Sequence, residues 1–145
     1  MTVTNLMCGD WVMFEKISFQ ETPEYLNGQV SKIDSELGVI YIKGKSCCYL
    51  EQQIKPIPLT PKVLEKNGFE VQSGAYLTSR WYDKKYKISI MRHASSTDTL
   101  MHYCIYLKED DEYSQLSYVP DFVCEYVHEL QHILKLCKID KEIVL

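Results

Sequence analysis

Apolar and polar positions follow two different rhythms along the chain. From residue 9 to residue 57 they alternate in short runs broken by turn chemistry, and no helical period is present. Strands are expected at 10–14, 29–33, 39–42 and 47–50. A polar loop carrying Pro23 and an Asn27-Gly28 step separates the first two, Gly38 opens the third, and Gly44-Lys45 turns into the fourth. Strands this short, at this spacing, suit a small and highly curved barrel.

Lys55-Pro56-Ile57-Pro58-Leu59 cannot continue a central strand, because each proline removes a ladder donor and restricts the residue before it. A domain boundary is therefore expected after Pro58, giving units 1–58 and 59–145. Thr60 offers a helix cap, Pro61 suits the first turn and Asn67-Gly68 supplies a left-handed stop, so 61–66 reads as a short helix. Alternation then returns at 76–82, 86–92, 100–107 and 113–119, with a turn at 83–85 and polar connections at 93–99 and 108–112. This predicts a four-stranded antiparallel meander. Pro120-Asp121 ends it and opens the longest helix, about 122–137, in which Val123, Val127, Leu130, Leu134 and Cys137 recur at spacings of four and three. That stripe should pack on the sheet.

Gly9-Asp10-Trp11-Val12, then Gly28-x-Val30, then Gly38-Val39-x-x-Ile42 resembles the Src-homology-3-like barrels of adaptor and nucleic-acid-associated proteins. The expected fold class is α+β: a small N-terminal Src-homology-3-like barrel, then an α-β-β-β-β-α unit with a meander sheet and one long C-terminal helix.

Charge narrows the partners. Sixteen Lys and Arg stand against twenty Asp and Glu, and the net charge of −4 divides evenly across Pro58. Whole-molecule attraction to phosphate backbones or anionic lipid is excluded, so any nucleic-acid contact must be local. No basic start followed by an apolar run opens the sequence, and no stretch nears eighteen apolar residues, so a cytoplasmic protein with no membrane partner is expected. There the six cysteines stay reduced, and without a C-x-x-C pair they read mostly as small buried hydrophobes.

One motif points to catalysis. His128-Glu129-Leu130-Gln131-His132 matches H-E-x-x-H, in which two His one turn apart hold zinc and the Glu acts as general base. A hydrolytic site also needs a third ligand. The only carboxylates among the thirteen residues after His132 are Asp140 and Glu142, while His93 and His102 lie on different strands or loops of the sheet. At about 100° per residue, with Val127 at zero, the apolar stripe centres near about −60° and the two His fall at about 100° and about 140°. The pair is thus expected on a solvated face with Glu125, Glu129 and Lys135. Zinc hydrolysis through His128, His132 and Glu129 ranks as the alternative to a non-enzymatic protein.

Pro56-Ile57-Pro58-Leu59-Thr60, Leu64-Glu65-Lys66-Asn67-Gly68-Phe69 and Tyr126-Val127-His128-Glu129-Leu130-Gln131 resemble a family of small proteins from Bacteroides-type bacteria and their prophages. In that family Asn often stands where this chain has His132, which implies that no two-His ligand set is required. The resemblance carries over no activity and no functional residues. It implies a phage or mobile-element setting.

The run from Arg80 to Lys87 interleaves four cations with Trp81, Tyr82 and Tyr86, the composition of a single-strand nucleic-acid platform. Arg80, Trp81, Lys84, Lys85 and Lys87 would carry it. The acidic run Glu109-Asp110-Asp111-Glu112 is expected at the same end of the meander, opposing phosphate there, and a plain β-hairpin is the favoured reading. Ser95-Ser96-Thr97 beside His93 and Asp98 holds the residue types of a Ser-His-Asp set, but adjacency in one loop lacks its geometry. Eleven tyrosines suit half-buried strands and also protein interfaces. The expected function is a non-enzymatic binding or accessory protein of a prophage or mobile element, without cofactor, whose partner is a host or phage protein. Exposed aromatics and the face His128, Glu129, His132 are its first candidate contacts.

Overall fold

The computed structural model describes residues 5–16, 22–72, 80–93, 102–107 and 122–145. Among the described residues the fold is mixed and strand-rich, with two antiparallel sheets and two α-helices, in agreement with the α+β expectation. The chain divides into two compact units, Met1–Pro58 with Tyr126–Gln131, and Leu59–Glu125 with His132–Leu145. No helix among the described residues is long and apolar enough to cross a membrane.

The first unit holds β1 (Trp11–Lys16), β2 (Glu24–Asp34), β3 (Val39–Ile42), β4 (Cys48–Leu50), a 3-10 turn at Glu51–Gln53 and β5 (Ile54–Pro56). These pair in the order β4-β3-β2-β1-β5. The eleven-residue β2 serves both halves of the sheet, and a register shift between Val30 and Lys32 bends it, so that the sheet curls into a half-barrel. Inward positions follow the pleat. Val12, Phe14, Val30, Ile40, Ile42, Tyr49 and Ile54 form the core with Leu6, and the Phe14 and Tyr49 rings tilt together at 5.0 Å between centroids. Each such side chain stabilises the fold by about 1.5–3 kcal/mol on burial.

Asn27-Gly28, expected as a turn, lies inside β2, with Gly28 opposite Val12. Packing explains the glycine: a Cβ there would stand 2.6 Å from Ile42 Cγ2 and 2.8 Å from Phe14 Cε1. Gly38 and Gly44 do occupy turns, with φ of 64° and 76°.

The second unit begins with α1 (Pro61–Lys66), where Thr60 Oγ1 accepts from the Val63 N–H and Gly68 has φ of 77°. Its sheet comprises β6 (Glu70–Gln72), β7 (Arg80–Asp83), β8 (Ile88–His93), β9 (His102–Leu107) and β10 (Phe122–Cys124), paired in sequence order as a meander. Trp81, Ile88, Ile90, Tyr103, Ile105 and Cys124 supply its buried apolar face. The predicted strand at 113–119, the first residues of the one at 76–82, the acidic run 109–112 and the Ser95–Asp98 loop fall outside the described residues.

The long helix starts later than its periodicity indicated. α2 spans Val127–Leu136, while Phe122–Cys124 is a strand on β9. Phe122 and Cys124, two apart, share the face that meets Ile105 and Tyr103, and Val123 between them is 53% exposed rather than part of a buried stripe. Backbone pairing holds the following segment extended up to the helix: Leu59 N–H donates to Glu125 O, Pro58 bridges Tyr126, and Val127 N–H donates to Ile57 O.

After α2 the chain runs without further helix or strand, and Asn67 clamps it. Asn67 Nδ2 donates to Val144 O at 2.8 Å while its Oδ1 accepts from Val144 N–H at 2.8 Å, and Ile143 is buried.

Candidate functional site

The H-E-x-x-H segment does form a helix, but its residues are engaged in ways its spacing does not reveal. Tyr126 is the cap position, and the Glu129 carboxylate, three residues on, reaches back to accept the Tyr126 N–H at 3.1 Å. This is the backward half of a capping box: it satisfies one of the donors that every helix leaves open at its start, and it sets a negative charge on the positive end of the helix dipole. His128 is not on a solvated face. It is 4% exposed, and its ring stacks on Tyr126 at 5.9 Å and 16°. The helical wheel failed because it scored His as polar, whereas an imidazole is flat enough to pack against a phenol ring. His132 is half-buried, and Leu130 is wholly buried.

Gln131 is the residue that sequence reasoning passed over. Its Nε2 donates to Gly9 O at 3.1 Å and its Oε1 accepts from Trp11 N–H at 3.0 Å. The buried side-chain amide thus acts as a two-bonded strand partner to the entry of β1, where the backbone would otherwise be left unsatisfied. No local pattern could have shown this, since 120 residues separate Gln131 from Trp11.

The cationic hairpin is partly absorbed into the fold. Trp81 is 2% exposed and packs beside Tyr103 at 6.0 Å, so its ring is not available for stacking on a base. Trp81 is thereby withdrawn from the alternative platform reading, while its packing suits the favoured plain hairpin. Arg80 is half-buried and its Nε donates to Ser89 Oγ at 2.6 Å. Lys84, Lys85 and Lys87 are exposed, and the Lys85 ammonium donates to Tyr86 Oη, a bond that raises its pKa. Asp83 is buried at the turn, where Oδ1 accepts from Tyr86 N–H and Oδ2 meets Lys141 Nζ at 2.6 Å. Lys141 also lies over the Phe69 and Tyr86 rings, 4.8 and 5.6 Å from their centroids.

All six cysteines are free thiols, but they are less uniformly buried than expected: Cys104 and Cys124 are buried, Cys47 and Cys137 half-buried, Cys8 and Cys48 exposed. Burial pushes the Cys104 thiol up.

Among the described side chains no group of three His, Cys, Asp or Glu is placed to hold a metal ion. Two arrangements remain. On the outer face of the first sheet, opposite the core residues Val12 and Phe14, Trp11, Met13 and Glu15 of β1 stand beside Gln29, Asn27 and Tyr25 of β2, with Lys55 of β5 next to Met13. Trp11, Met13 and Tyr25 are half-buried, and Lys55 Nζ sits 4.0 Å from the Tyr25 ring centroid. A shallow depression lined by Glu51, Gln52, Ile54, Lys55 and Pro56 adjoins this face. In the second unit, His102 Nδ1 lies 2.7 Å from Glu125 Oε1, both side chains partly exposed.

No protein-family model, curated protein or solved structure matches the chain.

Proposed function

We propose that the chain is a non-enzymatic binding protein of the cytoplasm that engages another protein through the outer face of its first unit. The observation that carries this reading is the outward set of Trp11, Met13 and Tyr25, with Lys55 over the tyrosine ring. Tyr, Trp and Met are the residues enriched where proteins meet, because each offers a large apolar area at modest entropic cost. They alternate with the core residues of the same strands, so the sheet that buries Val12 and Phe14 necessarily presents them on its other side.

A Src-homology-3-like barrel is the finer fold reading. It is supported by the 3-10 turn between β4 and β5 and by the return of β5 onto β1. The sequence resemblance adds a prophage or mobile-element setting, with a host or phage protein as partner. Zinc hydrolysis through His128, Glu129 and His132 has less support, because Glu129 holds the helix cap and His128 is stacked and buried. Nucleic-acid binding through Arg80, Trp81, Lys84, Lys85 and Lys87 loses its central ring to the core.

The test is a photoreactive phenylalanine analogue placed at position 13, with the same analogue at position 85 as control. A partner crosslinked in cells from position 13 but not from 85, and weakened by Tyr25→Glu, is expected. Equal crosslinking from both positions, or none from position 13, would overturn the assignment.

A further inference from the structure

The helix α1 ends on a dipeptide that can lose an amide. Asn67 is its C-cap, and Gly68, with φ of 77°, makes the left-handed turn that releases the chain. A glycine after an asparagine leaves the next backbone nitrogen without a side chain to shield it. That nitrogen can attack the side-chain carbonyl carbon. A bond forms between Gly68 N and Asn67 Cγ, the Cγ–Nδ2 bond breaks, and the amide nitrogen leaves as ammonia with the proton that Gly68 gives up. Water then opens the cyclic imide at either carbonyl, leaving aspartate or the isomer in which the backbone runs through the β-carbon. No oxidant, reductant or other reactant enters.

The fold suspends this reaction at Asn67. Its carboxamide is buried and held by three bonds: Nδ2 donates to Val63 O at 2.7 Å and to Val144 O at 2.8 Å, and Oδ1 accepts from Val144 N–H at 2.8 Å. Cγ cannot turn onto Gly68 N without breaking all of them, and the Gly68 N–H is itself committed to Glu65 O at 3.0 Å. Two of the three bonds come from the segment after α2, residues 139–145. The same segment brings Lys141 Nζ to 4.0 Å from where a Cβ on Gly68 would stand. It is seated by the burial of Ile143, by Lys141 on Asp83 and by the bond from Tyr86 Oη to Asp140 O at 2.5 Å. Lifting it would wet the carboxamide and release two restraints. The product could not resume the old place: a carboxylate has no N–H, so both donated bonds vanish and its oxygens meet the carbonyl oxygens of Val63 and Val144.

We propose that Asn67 is a self-modification site governed by residues 139–145: it converts to aspartate or isoaspartate, with water as the only reactant, when that segment lifts, and conversion then keeps the segment undocked. Each molecule thus carries a one-way record of having opened. The other Asn-Gly pair in the chain, Asn27-Gly28, is paired with Met13 and Val12 in the first unit and supplies an internal control. The site shares no residue with the protein-binding face proposed for that unit.

The test is prolonged incubation of the full reduced chain near neutral pH, with conversion at positions 67 and 27 read by peptide mass spectrometry. Segment opening is far faster than the reaction, so the rate follows the open population. Conversion at 67 should be slower by about tenfold or more in the folded chain than in the same chain unfolded in urea. Val144→Pro removes the donor to Asn67 Oδ1 and should speed conversion at 67 by about 2–10-fold. Ile143→Ser removes the buried anchor and should speed it by about tenfold or more. Conversion at 27 should keep the parent's rate in both variants. In Asn67→Asp, trypsin should cut after Lys141, whose side chain is only 12% exposed in the docked segment. The amide spectrum of each variant reports whether the fold survives. Equal rates at 67 in folded and unfolded parent, no change in the folded variants, a parallel rise at 67 and 27, or an Asn67→Asp segment as resistant to trypsin as the parent's would overturn the proposal.

Discussion

Replacing Lys141 by Met removes the cation that neutralises the buried carboxylate of Asp83 while keeping an apolar stem over the Phe69 and Tyr86 rings. Removing one partner of a buried pair costs about 3–5 kcal/mol, because the remaining charge is left in a poorly solvated place. Asp83 keeps the bond from Tyr86 N–H, and Lys141 retains some exposure, which favours the lower end; lost cation–π attraction adds about 0.5–1 kcal/mol. A total of about 3–4 kcal/mol, over a urea slope of about 1–3 kcal/mol per M, lowers the unfolding midpoint by about 1–4 M. The assay is fluorescence in a Trp11→Phe background, where the buried Trp81 reports on the second unit alone. Adding Asp83→Asn to Lys141→Met should recover much of the loss, since no charge then remains buried. If Lys141→Met costs less than about 1 kcal/mol, or if the double variant is no more stable than the single one, the pair is not the buried contact argued for.

Three further outcomes are expected. Glu129→Gln, which can still accept the Tyr126 N–H, should stay within about 0.5 kcal/mol of the parent, whereas Glu129→Ala should lose about 1 kcal/mol in urea unfolding; equal losses would remove the capping role. Gly28→Ala should cost about 1–3 kcal/mol, read from Trp11 in a Trp81→Phe background, because the new Cβ would press on Ile42 and Phe14; a neutral result would mean that β2 yields without strain. Burial pushes the Tyr49 hydroxyl up to about 12 from its ordinary 10. A raised folded value means that the unfolded chain releases this proton first, so the contribution is intact below pH 10 and is lost as pH climbs from 10 to 12. Thermal midpoints across that range should fall less steeply in Tyr49→Phe than in the parent; parallel profiles would show that Tyr49 does not carry the effect.

Much of the fold was legible because its signals are local. Thr60, Pro61 and Gly68 mark α1 by chemistry that acts within a few residues, and Gly38 and Gly44 need the positive φ that their turns impose. The strands β7, β8 and β9 declared themselves through alternation. Where the reading failed, one composition served two physical ends. Asn27-Gly28 carries a turn signature, yet the glycine is required by the approach of Ile42 and Phe14 from elsewhere in the sheet. Val123, Val127 and Leu130 fit a helical period, while Phe122 and Cys124 fit a strand, and only the pairing with β9 decides between them. The sites were less legible still. His128 on Tyr126 shows that a polar letter can be a packing residue, and Gln131 on Gly9 and Trp11 is a contact across most of the chain.

The shift between Val30 and Lys32 also governs how the chain can change in length. Val30 faces Ile42, Lys32 faces Tyr41 and Ile33 faces Ile40, so Ser31 is the supernumerary residue between them. Deleting Ser31 would leave every neighbour on its present side of the sheet and would merely flatten the bend. Deleting Gln29 instead would swing the residues before it across the sheet, carrying Gly28 out from under Phe14. Across evolutionary descent, loss or gain of a codon in β2 is therefore tolerable at Ser31, where it tunes curvature, and disruptive a few positions away.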